Sequence, residues 1–129
     1  MTQDPNQLVY FNTDAEQTIL GEIFFEPKNI KKLSLRPEHF YHQQNAKLFE
    51  FMRELERLDK EIDILNLADL MLGEIENVGG ISYLSDLASV GYGKNVIPLE
   101  KMIVKLFISR ETFNLNQRMS NEITEGIDP

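Results

Sequence analysis

The chain has 129 residues, of which 42% are apolar and 26% charged, and its formal net charge is −8. These values are typical of one soluble globular domain, and the acidic balance argues against nucleic-acid binding because a negative surface repels phosphate. Cysteine is absent, which excludes disulfides, thiol catalysis and cysteine-ligated zinc. Because no apolar run could span a membrane and no signal peptide is recognisable, we expect a cytoplasmic protein.

The charge is unevenly distributed along the chain. Residues 1–93 carry eight basic and sixteen acidic side chains, whereas residues 94–121 carry five basic and two acidic side chains, a net charge of +3. Residues 122–129 return to −3. This pattern favours the basic segment as the place where an acidic partner binds, although a solvated helix face has the same appearance.

The first part of the chain predicts a tail and one helix. Residues 1–11 are polar without a helical period, and we expect a loose tail whose end packs on the body through Val9, Tyr10 and Phe11. The motif Thr13–Glu16 has the form of a capping box and predicts a helix start. Within this helix Gly21 allows another element to approach closely. Pro27 ends the helix, because the residue before proline disfavours helical backbone.

The clearest helix of the sequence is predicted over residues 41–58. It follows a short helix over 29–33 and a turn that Pro37 opens. Its solvent face is charged, and its opposite face predicts a buried stripe. That stripe consists of Leu48, Phe51, Met52, Leu55 and Leu58, with Phe49 at its edge.

Two further helices complete the body of the domain. Asp63 is a typical N-cap for a helix over residues 64–72, which Gly73 ends. A loop at Val78-Gly79-Gly80 then precedes a helix over residues 81–90, for which we predict burial of Ile81, Leu84 and Ala88. No alternating strand pattern occurs, so the predicted fold class is all-α.

The last helix, from Asn95 or Pro98 to about Thr124, has two apolar stripes. A surface helix needs only one such stripe, so this helix requires a neighbour on each side. One neighbour is the acidic body, and the other is a missing segment or a second copy of the chain. The residues that we assign to self-association are Leu99, Met102, Ile103, Leu106, Ile108, Phe113, Leu115 and Met119.

A search for catalytic, cofactor or metal sites finds no candidate. The segment Gly91–Asn95 resembles a phosphate loop, but it lacks the first glycine and the Ser or Thr that a Walker A loop requires. His39 and His42 lack further metal ligands, and we expect surface or capping roles for them. Acidic pairs such as Glu54 and Glu56 lie on a solvated helix face, where carboxylates stay ionised. What remains is an interaction module.

The motifs, taken in order, resemble the N-terminal domain of DnaB-type replicative DNA helicases. The resemblance covers about residues 12–129. It departs from the family pattern around residues 90–98, where the segment is shorter than in the family and includes Pro98. The matching segments are residues 14–21 (DAEQTILG), 36–41 (RPEHFY), 63–64 (DI), 78–84 (VGGISYL) and 121–126 (NEITEG).

The resemblance implies an all-α head over residues 12–93 and the first arm of a helical hairpin over residues 94–129. In the family, hairpins pair between subunits and form a collar over a hexameric ring. The collar binds primase and, in some systems, the helicase loader. ATP, Mg²⁺ and DNA are bound by a separate motor domain, which we expect to follow this chain, together with the second arm of the hairpin.

The main hypothesis is therefore a non-enzymatic collar domain that oligomerises and docks primase. For partner contacts we select the basic face of the arm and two residues of the head, namely Lys101, Lys105, Arg110, Arg118, Asp14 and Tyr83. The alternative is a stand-alone phage protein that mimics this domain and inhibits a host helicase or primase. A third hypothesis, a DNA-binding module, is disfavoured by the charge of −8.

Overall fold

The computed structural model describes residues 10–127, and the side chains of residues 10–120. Over this range all regular structure is helical, which confirms the predicted all-α class. Three 3₁₀ helices, Pro27–Lys32, Pro37–His39 and Leu72–Val78, connect the α-helices. The α-helices are α1 (Thr13–Phe25), α2 (Gln43–Arg57), α3 (Ile64–Met71), α4 (Gly80–Ala88) and α5 (Val96–Ile127).

Helix α1 is the centre of the fold, with α2, α4 and α5 packed around it. Its side chains Ile19, Leu20 and Ile23 are completely buried. Burial of apolar surface is the main favourable contribution to folding, at about 1.5–3 kcal/mol for each such side chain. The other helices contribute one contiguous core, which includes Leu48, Phe49, Met52, Leu55, Leu67, Met71, Leu84, Leu87, Val96, Leu99 and Ile103.

The start of α1 differs from the predicted capping box. The N-cap is Asn12, whose side-chain oxygen accepts a hydrogen bond from the backbone N–H of Ala15 at 3.0 Å. The Thr13 hydroxyl instead lies 2.8 Å from Nε2 of His42, and the Glu16 side chain is buried. The capping-box prediction is wrong because both side chains are used by contacts with α2, which local sequence does not reveal.

The predicted close approach at Gly21 is confirmed. A Cβ atom placed there would lie 2.8 Å from the carbonyl oxygen of Leu87 and 3.0 Å from Cβ of Val90. The prediction that the end of the N-terminal tail packs on the body is confirmed for Phe11, which stacks on Tyr41 with 4.2 Å between ring centroids. Tyr10 instead packs on α5, against Phe113. Val9 and the rest of the tail lie outside the described residues.

The buried face of α2 is shifted relative to the prediction. Phe49 is fully buried, not at the edge, whereas Leu58 lies at the C-cap with 40% of its surface exposed. Arg53 belongs to the predicted charged face, but its guanidinium donates to the carbonyl oxygens of Ile30 at 2.9 Å and Leu33 at 2.7 Å. This cation therefore binds backbone acceptors at the C-terminal end of the neighbouring 3₁₀ helix, where the Ile30 carbonyl also accepts from the backbone N–H of Leu33 at 3.3 Å.

The Asp63 cap of α3 is confirmed by a 2.7 Å hydrogen bond from the backbone N–H of Asn66. The buried face predicted for the next helix is partly wrong, since Ile81 is 48% exposed and Leu87 is buried in its place. Helix α4 begins directly after Gly79, which has a left-handed backbone (φ 103°), and it packs on the core through Gly80, Leu84 and Leu87. Helical periodicity alone does not decide between this face and the predicted one, because packing against the other helices selects it.

Helix α5 has 32 residues and is therefore about 48 Å long. Val96, Leu99 and Ile103 in its first turns are buried in the core of the head, whereas residues 111–120 are all exposed. The helix thus begins inside the domain and continues as a solvent-exposed arm. Within residues 10–127, none of the helices combines the length and apolarity that crossing a bilayer requires.

Candidate functional site

The exposed part of α5 carries an apolar surface that nothing in the described part of the chain covers. Ile108, Leu115 and Met119 lie on one side of this helix, and 57%, 51% and 51% of their respective surfaces are exposed. We call these three residues the arm stripe. Phe113 is 42% exposed, but it lies about 140° around the helix from Ile108. Its ring packs against Tyr10 with 5.4 Å between ring centroids. Large apolar side chains in a contiguous row on a helix, flanked by polar residues, are typical of a protein-interaction surface.

The residues that the sequence assigned to self-association do not form one surface. Leu99 and Ile103 are only 7% and 2% exposed, so they belong to the core of this chain and their assignment is corrected. Leu106 is half-buried, and Met102 is 43% exposed and accepts a 3.3 Å hydrogen bond from Asn12. The accessible part of the predicted set is therefore mainly the arm stripe.

Two of the six proposed partner contacts are engaged inside the chain. Tyr83 is half-buried, and its hydroxyl donates to Oδ1 of Asn45. Arg110 is also half-buried, and its guanidinium donates to the carbonyl oxygens of Tyr10 at 2.5 Å and His39 at 3.0 Å. The remaining four, Asp14, Lys101, Lys105 and Arg118, are exposed.

Arg110 instead attaches the arm to the head. Its guanidinium carbon lies 5.4 Å from the ring centroid of Tyr41 and 5.8 Å from that of Phe107. Burial lowers the pKa of Arg110, and nearby Glu16 acts in the opposite direction. The sequence alone placed Arg110 on a basic surface. Its two backbone acceptors, in Tyr10 and His39, are far away in the sequence, so no neighbouring residue indicates these contacts.

A buried carboxylate holds the start of α2. Glu16 on α1 accepts from the backbone N–H groups of Tyr41 at 2.6 Å and His42 at 3.3 Å, and from the side-chain amide of Asn45 at 3.0 Å. These groups precede or begin α2, where backbone N–H groups lack intrahelical acceptors. A carboxylate at a helix N-terminus is also favoured by the helix dipole.

A second buried carboxylate holds the loop before α5. Glu22 is completely buried and accepts from the backbone N–H groups of Tyr92 at 2.8 Å, Gly93 at 2.9 Å and Lys94 at 2.7 Å. This is the segment that resembled a phosphate loop. Its N–H groups do converge on an anion, but the anion is the side chain of Glu22. The one feature of the sequence that could have indicated this contact is the acidic residue Glu22, which lies between apolar positions of α1.

His39 and His42 each contact another group of the domain. No group of three potential ligands occurs within residues 10–120. Nδ1 of His39 accepts from the backbone N–H of Arg36 at 2.9 Å and so closes the Pro37–His39 turn, a capping role as expected. Its ring also contacts Phe107 edge-on at 4.9 Å, and burial lowers its pKa.

The fold defines a class of protein, an all-α domain with a long, exposed C-terminal helix. The family model of the DnaB-like helicase N terminal domain matches residues 9–105. The chain is 33% identical over 104 residues to the replicative DNA helicase DnaC of Bacillus subtilis, and 34% identical over 119 residues to DnaB of Pasteurella multocida. These alignments cover 77% and 88% of this chain but only 23% and 24% of those relatives.

The chain belongs to the family of DnaB-like helicase N-terminal domains, a non-catalytic part of replicative helicases. It spans about a quarter of the length of these curated relatives. Solved structures agree in fold. The N-terminal domain of DnaB helicase from Mycobacterium tuberculosis superposes with a TM-score of 0.81 at 20% identity, over 90% of this chain and 86% of that one.

A larger relative of known structure is a DnaB-like replicative helicase described together with its interactions with primase. It matches 88% of this chain and 28% of its own, with a TM-score of 0.78 and 26% identity. The N-terminal domain of DnaB helicase from Helicobacter pylori, also described with its interactions with primase, has a TM-score of 0.77 at 20% identity and covers 86% of this chain and 90% of that one.

Proposed function

We propose that this chain is the collar domain of a replicative DNA helicase and that it acts in DNA replication by joining copies of itself and docking primase. Family membership supports the role in replication, and two structural relatives are described with primase. The proposal places ATP hydrolysis, Mg²⁺ and DNA contact in the motor domain of a cytoplasmic parent protein, which forms a hexameric ring. The collar also contacts the helicase loader.

The observation that carries the proposal is the arm stripe. An isolated chain leaves Ile108, Leu115 and Met119 more than half exposed on a helix whose first turns are firmly packed. Complete burial of such a side chain contributes about 1.5–3 kcal/mol, so covering the exposed half of each one contributes about half of that and favours a second helix along the stripe. We propose that this second helix comes from another copy of the chain and that the arms pair.

Sedimentation of the 129-residue chain tests this assembly. We expect concentration-dependent dimers or larger species, and we expect the double variant Leu115→Asp/Met119→Asp to remain monomeric because it places two carboxylates in the stripe. The matched control is Leu65→Asp on α3, which changes a leucine that is 73% exposed and lies outside the arm. A chain that sediments as a monomer at every concentration would refute the pairing of arms.

Primase docking is tested separately by titrating labelled chain with primase. The proposed contacts that remain accessible are Asp14, Lys101, Lys105 and Arg118. We expect Lys101→Glu/Lys105→Glu to weaken primase binding about tenfold, which corresponds to about 1.4 kcal/mol. Unchanged binding by this variant would remove the basic face from the interface.

The second hypothesis, a stand-alone phage inhibitor of a helicase or primase, has no support among the relatives found. Each relative named above is a helicase or the N-terminal domain of one. Titration into an active helicase would distinguish the two, because the inhibitor hypothesis expects loss of unwinding at stoichiometric amounts.

A further inference from the structure

A groove separate from the arm stripe lies between α2, α5 and the Pro37–His39 turn. Its apolar lining is formed by Phe40, Ala46 and Phe107, and its acidic lining by Glu38, Glu50 and Glu111. We call it the acidic groove. Each of its carboxylates comes from a different element, so the fold brings together three charges that the sequence keeps far apart.

The charge of the acidic groove is not neutralised within the described residues. Neither Glu50 nor Glu111 has a cation within ion-pair distance there, and both side chains are exposed. Glu38 lies 3.5 Å from Arg36 in a largely exposed pair, which contributes little. The one cation that lines the groove, Lys47, is 2.9 Å from Glu74. The groove therefore presents excess negative charge.

The apolar lining of the groove is held in place from within the domain. The ring of Phe107 packs edge-on against His39 at 4.9 Å and lies 5.8 Å from the guanidinium carbon of Arg110. Phe40 is only 2% exposed and packs on Phe49 with 5.1 Å between centroids. A preformed apolar surface lowers the cost of binding, because few side chains must be ordered when a ligand arrives.

We infer that the acidic groove binds a basic amphipathic segment of a partner protein. An apolar side chain of that segment covers Phe107, and lysine or arginine side chains reach Glu50 and Glu111. Charge complementarity of this kind directs encounter and selects the partner. This inference does not depend on pairing of the arms, because the groove contains no residue of the arm stripe.

The test is fluorescence anisotropy with a labelled helical peptide of leucine and lysine, titrated with the 129-residue chain at low salt. The double variant Glu50→Gln/Glu111→Gln is expected to weaken binding about tenfold. The matched control, Glu26→Gln/Asp69→Asn, removes two exposed carboxylates that do not line the groove, so it has the same net charge. We expect the control to change binding less than about twofold.

A second variant tests the shape of the groove without changing its charge. Ala46→Tyr places a bulky ring over the apolar lining, and we expect it to weaken peptide binding while urea unfolding shows that the domain remains folded. If the groove and control double variants weaken peptide binding equally, binding depends only on the net charge of the chain, and the inference is overturned.

Two further outcomes separate this inference from the proposed function. Leu115→Asp/Met119→Asp is expected to bind the peptide normally, so failure of arm pairing does not affect the result. If Glu50→Gln/Glu111→Gln instead abolishes self-association of the chain alone, the occupant of the groove is a second copy and the inferred partner is wrong.

Discussion

Two buried glutamates on α1 supply the hydrogen-bond acceptors that two other segments lack. Glu16 is 2% exposed and Glu22 is completely buried. Buried charges are costly unless they are fully hydrogen-bonded, and each of these carboxylates accepts from three N–H groups of segments far away in sequence. At the residue scale, these contacts attach α2 and α5 to the central helix.

Glu22→Ala is predicted to destabilise the domain. The substitution leaves the N–H groups of residues 92–94 without their acceptor in a half-buried setting, which is expected to cost about 3 kcal/mol. Urea unfolding followed by circular dichroism measures the free energy of unfolding. The control is Glu26→Ala, an exposed glutamate just after the same helix, which should have little effect. Equal stability of the two variants would contradict the assigned role of Glu22.

His39 is predicted to make the stability depend on pH. Burial of the ring lowers the pKa of His39 below its ordinary value of 6.5; Glu38 opposes this shift, and Arg36 adds to it. Below pH 6.5 the unfolded chain therefore binds a proton at His39 more strongly than the folded chain does, which lowers the free energy of unfolding. The contribution of His39 is complete above pH 6.5 and is lost as the pH falls from 6.5 through the lower pKa of the folded state.

The measurement is urea unfolding of the wild type and of His39→Gln at a series of pH values. We expect the wild type to lose more stability than the variant as the pH falls below 6.5. Parallel pH profiles for the two proteins would show that His39 does not contribute.

At the scale of elements, the loop before α5 packs closely on α1 through a glycine. Gly91 precedes α5, and a Cβ placed there would lie 2.6 Å from Cβ of Phe25 and closer still to the carbonyl oxygen of Gly21. Gly91→Ala should therefore destabilise the domain by about 1–3 kcal/mol, as overpacking in a rigid region does.

Gly73→Ala provides the matched comparison for this contact. A Cβ at Gly73 would meet no atom within 4 Å, so we expect stability close to that of the wild type. Thermal unfolding of both variants is sufficient to compare them. A stable Gly91→Ala protein would mean that the loop adjusts without cost.

Short-range signals predicted most helix boundaries. The end of α1 before Pro27 and the Asp63 cap of α3 are both set by a few neighbouring residues, so the sequence alone was sufficient. Buried faces were predicted less well. Leu58 and Ile81 were assigned to the core but are exposed, because the rotation of each helix end is set by the neighbouring turn and by packing.

At the scale of the whole molecule, net charge and the arm stripe have opposite effects on self-association. Copies with a charge of −8 repel each other, whereas apolar side chains on the arm favour association. If the arms pair, self-association should therefore be stronger at about 0.5 M than at about 0.05 M NaCl, because salt screens the repulsion between copies. Sedimentation at both concentrations measures this difference.

Binding of a basic peptide by the acidic groove is expected to change with salt in the opposite direction. Salt screens the attraction between a basic peptide and the carboxylates, so binding should weaken over the same range. Association of the chain that weakens with salt would indicate that charged contacts, not the arm stripe, join the copies.

The sequence by itself determined the all-α class, most helix limits and the presence of a last helix with more apolar surface than one neighbour can cover. These properties follow from residues that are close together in the chain, through caps, proline and helical periodicity. The tertiary structure alone decided that Leu99 and Ile103 belong to the core of the head and that Arg110 is an anchor. Contacts such as that between Glu22 and Tyr92 join residues 70 positions apart, and the choice among possible partners at that distance is made by packing of the whole domain.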